Sequence, residues 1–226
     1  MTSISKKVLM KDVAMHCQRF HVSPILYFIF CILSFMVSSC SKNEDYDPYT
    51  NWEARNVTWF QQVADTARTA INAARAQYGS EWEEHCDWRM YKSLRKSPSF
   101  QSGLLEDSIC VKILKRGTGM KSPLVTDIVE VAYRGWQIPA VDSNGNVFEK
   151  VFDQTFYGTY DVETAASTTN DVSEFTEGFG TALQYMKEGD DWMVYIPSSL
   201  LYAEQVVGEL PAFSSARFRI IMIKVY

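Results

Sequence analysis

Bond-making chemistry in proteins usually rests on histidine, cysteine or clustered carboxylates, and this 226-residue chain holds three histidines and five cysteines. His16, His21, Cys17 and Cys31 fall in a basic and then apolar leader, which leaves His85 as the one histidine beyond it. A Ser-His-Asp triad or a multi-histidine metal site would have to be built on His85, and no ligand-spaced partner stands near it. The expected chemistry therefore uses no metal, no cofactor and no nucleophile. Cys40 has a different setting, after an apolar run and two small serines. Cys86 and Cys110 remain: export would permit a disulfide between them, and two buried thiols are the alternative. Among the carboxylates Asp153 stands out, because an acid between Phe152 and Gln154 gains nothing from packing.

In the leader, Lys6, Lys7, Lys11 and Arg19 precede an apolar run from Ile25 to Val37, the layout of a secretory signal peptide. As a helix that run would span about 20 Å at about 1.5 Å per residue, short of the roughly 30 Å hydrocarbon layer, so a transmembrane anchor is the weaker reading. Val37-Ser38-Ser39-Cys40 resembles a bacterial lipobox, in which small residues admit the peptidase and the cysteine thiol takes the lipid. Residues 1–39 are thus expected to be a signal peptide and residues 40–48 a lipidated tether, in which Ser41-Lys42-Asn43-Glu44-Asp45 is too polar to pack. Cleavage would remove four of the 22 basic residues and one of the 27 acidic ones, leaving 18 and 26 and a net charge of −8. So acidic a surface repels phosphates, which argues against a nucleic-acid partner. Membrane affinity then has to come from the lipid on Cys40.

The elements that position the remaining residues follow from hydrophobic periodicity. Between Thr50 and Tyr78, Trp52, Trp59, Phe60, Val63, Ala67, Ala70, Ile71, Ala74 and Tyr78 recur at helical period. Thr50 with Glu53 forms a capping box at the start of this helix, and Gly79 closes it. A second, shorter helix is expected from Glu81 to Leu94, its Trp82, Trp88 and Tyr91 used for packing, giving an N-terminal helical segment over residues 49–95. The polar Pro/Gly/Ser stretch that follows makes residues 96–107 a linker. Strand patterns then cover Ile109–Leu114, Ile128–Arg134, Val147–Phe152, Trp192–Ile196 and the β-branched end Arg217–Tyr226. Asn144-Gly145 marks a hairpin turn, and a short helix is expected over Glu177–Met186. One short helix among antiparallel strands is an α+β arrangement, over residues 108–226.

Five landmarks in this second half, in order, resemble the FKBP-type peptidyl-prolyl isomerases and in particular their envelope lipoprotein branch. They are Val131-Ala132-Tyr133-Arg134-Gly135, then Val151-Phe152-Asp153-Gln154-Thr155, then the stretch Glu177-Gly178-Phe179 through Met186 to Gly189 and Trp192. Ile196-Pro197-Ser198 leading to Tyr202, and Leu210-Pro211-Ala212 ahead of Phe218, complete the set. The resemblance implies an antiparallel sheet wrapped on one short helix, with Tyr133, Phe152, Phe179 and Phe218 around a proline pocket, Phe179 as its floor, and Phe175 and Leu210 flanking it. It also implies Asp153 at the rim near the twisting carbonyl, and the Tyr202 hydroxyl and Thr176 backbone N–H as donors to a bound proline-containing polypeptide. The Lys42-Asn43-Glu44-Asp45 stretch is similar to the signal that sends Bacteroidetes lipoproteins to the outer membrane surface.

The sequence departs from that family in three places. Between Tyr160 and Phe175 there is no aromatic residue where the family places a pocket wall; Ala203 stands where a glycine normally follows the pocket tyrosine; and the connection from Gly135 to Phe152 is long, as for a protruding hairpin. Two functions follow: an envelope isomerase acting on exported chains, or a catalytically weak binding module of the same fold. The N-terminal helix is expected either to form a homodimer or to dock on its own domain.

Overall fold

The computed structural model describes residues 46–96 and 104–226. The expected signal peptide, Cys40, the tether up to Asp45 and residues 97–103 of the expected linker lie outside the described residues.

The first helix, α1, spans Trp52–Tyr78 and buries Trp52, Asn56, Phe60, Ala64, Ala67, Ile71 and Ala74, a single stripe at a spacing of three and four. Gly79, at φ 57°, closes it by donating its N–H to the Arg75 carbonyl. The start differs from the expected capping box. The Thr50 hydroxyl donates to the Asp47 carbonyl at 2.9 Å, and the helix begins after Asn51, whose side chain makes no cap. An Asx turn centred on Asp47, whose carboxylate accepts the Tyr49 N–H at 2.8 Å, draws the hydroxyl away from the helix.

The second expected helix is corrected: only Trp82–His85, α2, is helical, and Trp88–Lys92 is a strand, β1. β1 pairs antiparallel with β2, Ser108–Lys115, with Tyr91 opposite Ile109. A ladder partner far along the chain overrides the local pattern. The Arg89 guanidinium seals the abandoned helix end by donating to the carbonyls of Glu83 and Cys86.

The remaining elements are β3 (Ile128–Gln137), β4 (Ala140–Val141), β5 (Val147–Phe148), β6 (Val151–Gln154), β7 (Thr168–Asp171), α3 (Glu177–Leu183), β8 (Asp191–Ile196) and β9 (Ala216–Val225). The main sheet runs β1-β2-β8-β9-β3-β6 with every pairing antiparallel, and β7 joins the far end of β3. β4 and β5 form a separate hairpin turning at Asn144-Gly145, where Asp142 donates its N–H to the Asn146 carbonyl at 2.9 Å. β7 has no counterpart in the sequence reading, because Thr168-Thr169-Asn170-Asp171 carries no apolar alternation.

Each face of the sheet has its own cover. Ile109, Val111 and Ile113 of β2, with Trp192, Val194 and Ile196 of β8, pack against α3. Gly178 permits this close approach: a Cβ there would lie 2.3 Å from Ile196 Cγ2. Cys110, from the alternate set of β2, meets Phe60, Ala64 and Ala67 of α1, with Trp88, Met90 and Tyr195 around them. Two buried hydrogen bonds fix the helix: Trp52 Nε1 donates to Ser214 Oγ, and Ser215 N–H donates to Asn56 Oδ1, both at 2.7 Å. The apolar stripe of α1 therefore packs on the chain's own sheet, as the docking expectation for this helix has it. Cys86 and Cys110 are free, buried thiols, and burial pushes that of Cys110 up to about 12.

Candidate functional site

A cavity of about 240 Å³ opens where β3, β6, β7, α3 and β9 converge. Its base is aromatic. Phe179, from α3, is 4% exposed and stacks on Phe175 with centroids 4.8 Å apart. Tyr133 of β3 and Phe218 of β9 present their edges to it, at 5.4 and 5.2 Å. Such tilted and offset contacts are the ones the ring quadrupole favours. Gly135 makes room for this arrangement, since it faces Phe218 in the ladder and a Cβ there would lie 2.5 Å from the Phe218 ring.

The mouth is polar. Tyr133 donates its hydroxyl to Asp153 Oδ2 at 2.9 Å, joining β3 to β6. Burial raises the Tyr133 phenol pKa well above the usual tyrosine range, and the charge and hydrogen bond of Asp153 raise it further. Tyr202, which also lines the cavity, has its pKa raised by burial and then by the Asp153 charge. Both phenols are thus neutral at ordinary pH, able to donate hydrogen bonds. Thr176 sits at the start of α3, where its hydroxyl makes no helix cap and is buried without a partner. Its backbone N–H has no backbone acceptor among the described residues.

Of the residues expected at the site, Tyr133, Asp153, Phe175, Thr176, Phe179, Tyr202 and Phe218 line one cavity. Phe152 and Leu210 do not. Phe152 supports it, packing edge-on to Phe218 at 5.5 Å, and Leu210, 1% exposed, pairs with Val207. Asn170 and Glu174 line the cavity and escaped the sequence reading. They come from the stretch without aromatics, where a polar strand pairs with β3 along Ile128–Val131. The only signal for them was the missing wall itself. Ala203 adopts the left-handed conformation, φ 50°, despite its Cβ. Two backbone bonds hold it there, from its N–H to Ser198 and from the Phe213 N–H to its carbonyl.

Residues 119–223 match the family model described as FKBP-type peptidyl-prolyl cis-trans isomerase. The macrophage infectivity potentiator of Trypanosoma cruzi is 29% identical over 122 residues, 54% of this chain and 55% of that protein. The outer membrane protein MIP of Legionella longbeachae is 32% identical over 105 residues, 46% of this chain and 38% of that protein. The peptidyl-prolyl cis-trans isomerase Mip of Coxiella burnetii is 31% identical over 101 residues, 45% and 37% of the two chains. The matched stretch spans about half or less of the length of these relatives. A peptidyl-prolyl cis-trans isomerase structure from Pseudomonas syringae pv. tomato aligns with 73% of this chain and 94% of its own, with a TM-score of 0.42 and 23% identity. Family model and relatives together support an FKBP-type peptidyl-prolyl isomerase domain over residues 119–223 of this chain.

Proposed function

We propose that this protein is a peptidyl-prolyl cis/trans isomerase of the bacterial cell envelope that acts on exported polypeptides. The observation that carries the reading is the aromatic cavity with the Tyr133–Asp153 hydrogen bond at its rim. Rotation about an X-Pro bond breaks amide resonance at a barrier of roughly 18–20 kcal/mol. A catalyst has to bind the twisted amide better than either planar form. Phe175, Phe179 and Phe218 offer the proline ring an apolar seat, which lowers the dielectric around the less polar twisted state. Tyr202 and the Thr176 N–H are the donors that orient the bound chain, and Asp153, held by Tyr133, faces the carbonyl that loses conjugation. Phe152, edge-on to Phe218, keeps the seat in shape from behind. No proton changes hands, so no acid, base or metal is required.

The location rests on the leader and on Cys40. The lipid on Cys40 would hold the domain at the membrane, and one relative is by name an outer membrane protein. No helix among the described residues is long and apolar enough to cross a membrane. Replacing Cys40 by serine and fractionating cells tests the anchor, with release of the protein from membranes as the expected result.

Turnover of proline peptides by a soluble chain from Ser41 to Tyr226, measured by protease-coupled isomerisation, tests the enzyme. Acceleration over the uncatalysed reaction, which takes tens of seconds, is expected. A rate equal to background would replace the reading with the second one, a binding module. The polar wall of Asn170 and Glu174, where the sequence lacks an aromatic, is what favours that alternative.

A further inference from the structure

The aromatic base of the cavity treats all proline rings alike, but its rim carries charge of one sign. Glu174 lines the cavity, is exposed, and its carboxylate takes part in no hydrogen bond or ion pair among the described residues. Asp153 gives one oxygen to the Tyr133 hydroxyl, and its other oxygen has no partner among the described residues. Asn170 adds an exposed amide whose one recorded contact is a long bond to Thr168 at 3.4 Å. No lysine, arginine or histidine lines the cavity. Two arginines come near without lining the cavity: Arg95 donates to the carbonyl of Ser173, the residue before Glu174, at 3.1 Å, and Arg134, next to Tyr133 in sequence, donates to the Gly158 carbonyl at 3.4 Å while lying against the Trp136 ring.

We propose that Glu174, with Asp153 and Asn170, makes this cavity select chains that carry a lysine or arginine beside the proline. The inference rests on the isomerase reading of the same cavity and names the substrate class for it. A polypeptide seated on Phe179 leaves the aromatic base in both directions across the mouth, so the residues flanking its proline pass these carboxylates. A cationic side chain gains from them, an apolar one loses the packing that an aromatic wall would have given, and an acidic one is repelled. Solvent-exposed ion pairs are worth a few-fold each in affinity, so two carboxylates give a preference of about tenfold for a cation over a carboxylate at low ionic strength. Raising the salt shortens the screening length to about 3 Å at 1 M and removes most of that preference.

The test measures both binding and turnover of matched proline peptides with Lys, Leu or Glu before the proline, and a second set with the variation after it. It uses the chain from Ser41 to Tyr226 and its Glu174→Gln variant, at low and at high salt. The Glu174 side chain is exposed and bonded to none of the described residues, so the variant retains its fold. The expected order is Lys over Leu over Glu in at least one set, compressed about threefold or more by Glu174→Gln and again by salt. Equal handling of the three peptides, or a preference that Glu174→Gln leaves intact, overturns the inference and leaves the isomerase standing. A charge preference in binding without any turnover supports the inference while removing the isomerase. No binding of any peptide overturns both.

Discussion

Two of the aromatic clusters among the described residues, one against α1 and one at the cavity, differ in what lies beside their rings. Below α1, Trp59 and Trp88 gather around Tyr195 with centroids 5.9 and 5.8 Å away, and Tyr49 meets Trp52 edge-on at 5.0 Å. There the helix lies over the rings, and the indole N–H of Trp52 is matched by Ser214. At the other cluster Tyr133, Phe175, Phe179 and Phe218 make equally close ring contacts, and although Phe179 and Phe218 are themselves buried, the four rings line a cavity of about 240 Å³. Beside that cavity the buried Thr176 hydroxyl and the solvent-exposed Glu174 carboxylate have no partner among the described residues. Buried polar groups are ordinarily paired, and the Thr176 hydroxyl beside the cavity is one of the exceptions. Ring content alone does not tell the two clusters apart; what lies beside the rings, a helix at one and a cavity at the other, does.

That contrast can be broken at either end. The largest effect is expected beneath the helix: Phe60→Ala removes a ring that is 3% exposed from the α1–sheet contact and should cost about 3–5 kcal/mol in urea unfolding. Loss of less than about 1 kcal/mol would show that α1 is not docked as described. At the cavity, Asp153→Ala removes an exposed acceptor, so stability should shift by no more than about 0.5 kcal/mol. Its kcat/KM on proline peptides should nevertheless fall about tenfold, the worth of one charge-assisted hydrogen bond.

A smaller effect comes from alkali. Burial raises the pKa of Tyr91 to about 12 and that of Tyr133 further, so both keep their protons in the folded chain at a pH where the unfolded chain has lost them. The folded state then binds more protons than the unfolded one, and stability declines as pH rises from about 10 through 12. Below pH 10 neither group contributes a slope, and kcat/KM should show no titration from Tyr133 between pH 7 and 10. Denaturation series at pH 8, 10 and 11 check the first statement and pH–rate profiles the second. The smallest effect belongs to Ala203→Gly, which relieves a left-handed alanine but loosens the unfolded chain; a net gain below about 1 kcal/mol is expected in thermal unfolding.

Much of the fold is written locally. Helix α1 was legible because its buried stripe keeps one period over twenty-seven residues, and β3, β8 and β9 because their alternation or β-branching is strong. β1 was not, since Trp88-Arg89-Met90-Tyr91-Lys92 becomes a strand only by lying against β2. β7 was invisible for the same reason, as its four polar residues gain their order from the edge of β3. The cavity divides along the same line. Tyr133, Asp153, Phe179 and Tyr202 are fixed by motifs at set spacing, whereas Asn170 and Glu174 reach the rim only because β7 pairs where it does.

The sequence by itself determined the period of each strong element, the order of the motifs around the cavity and the scarcity of histidine beyond the leader, because these depend on residue identity and local spacing. The tertiary structure decided which aromatic cluster packs under α1 and which lines a cavity, what α1 packs against, and which charged side chains reach the rim. Those depend on contacts between residues far apart in the chain, and no local pattern encodes them.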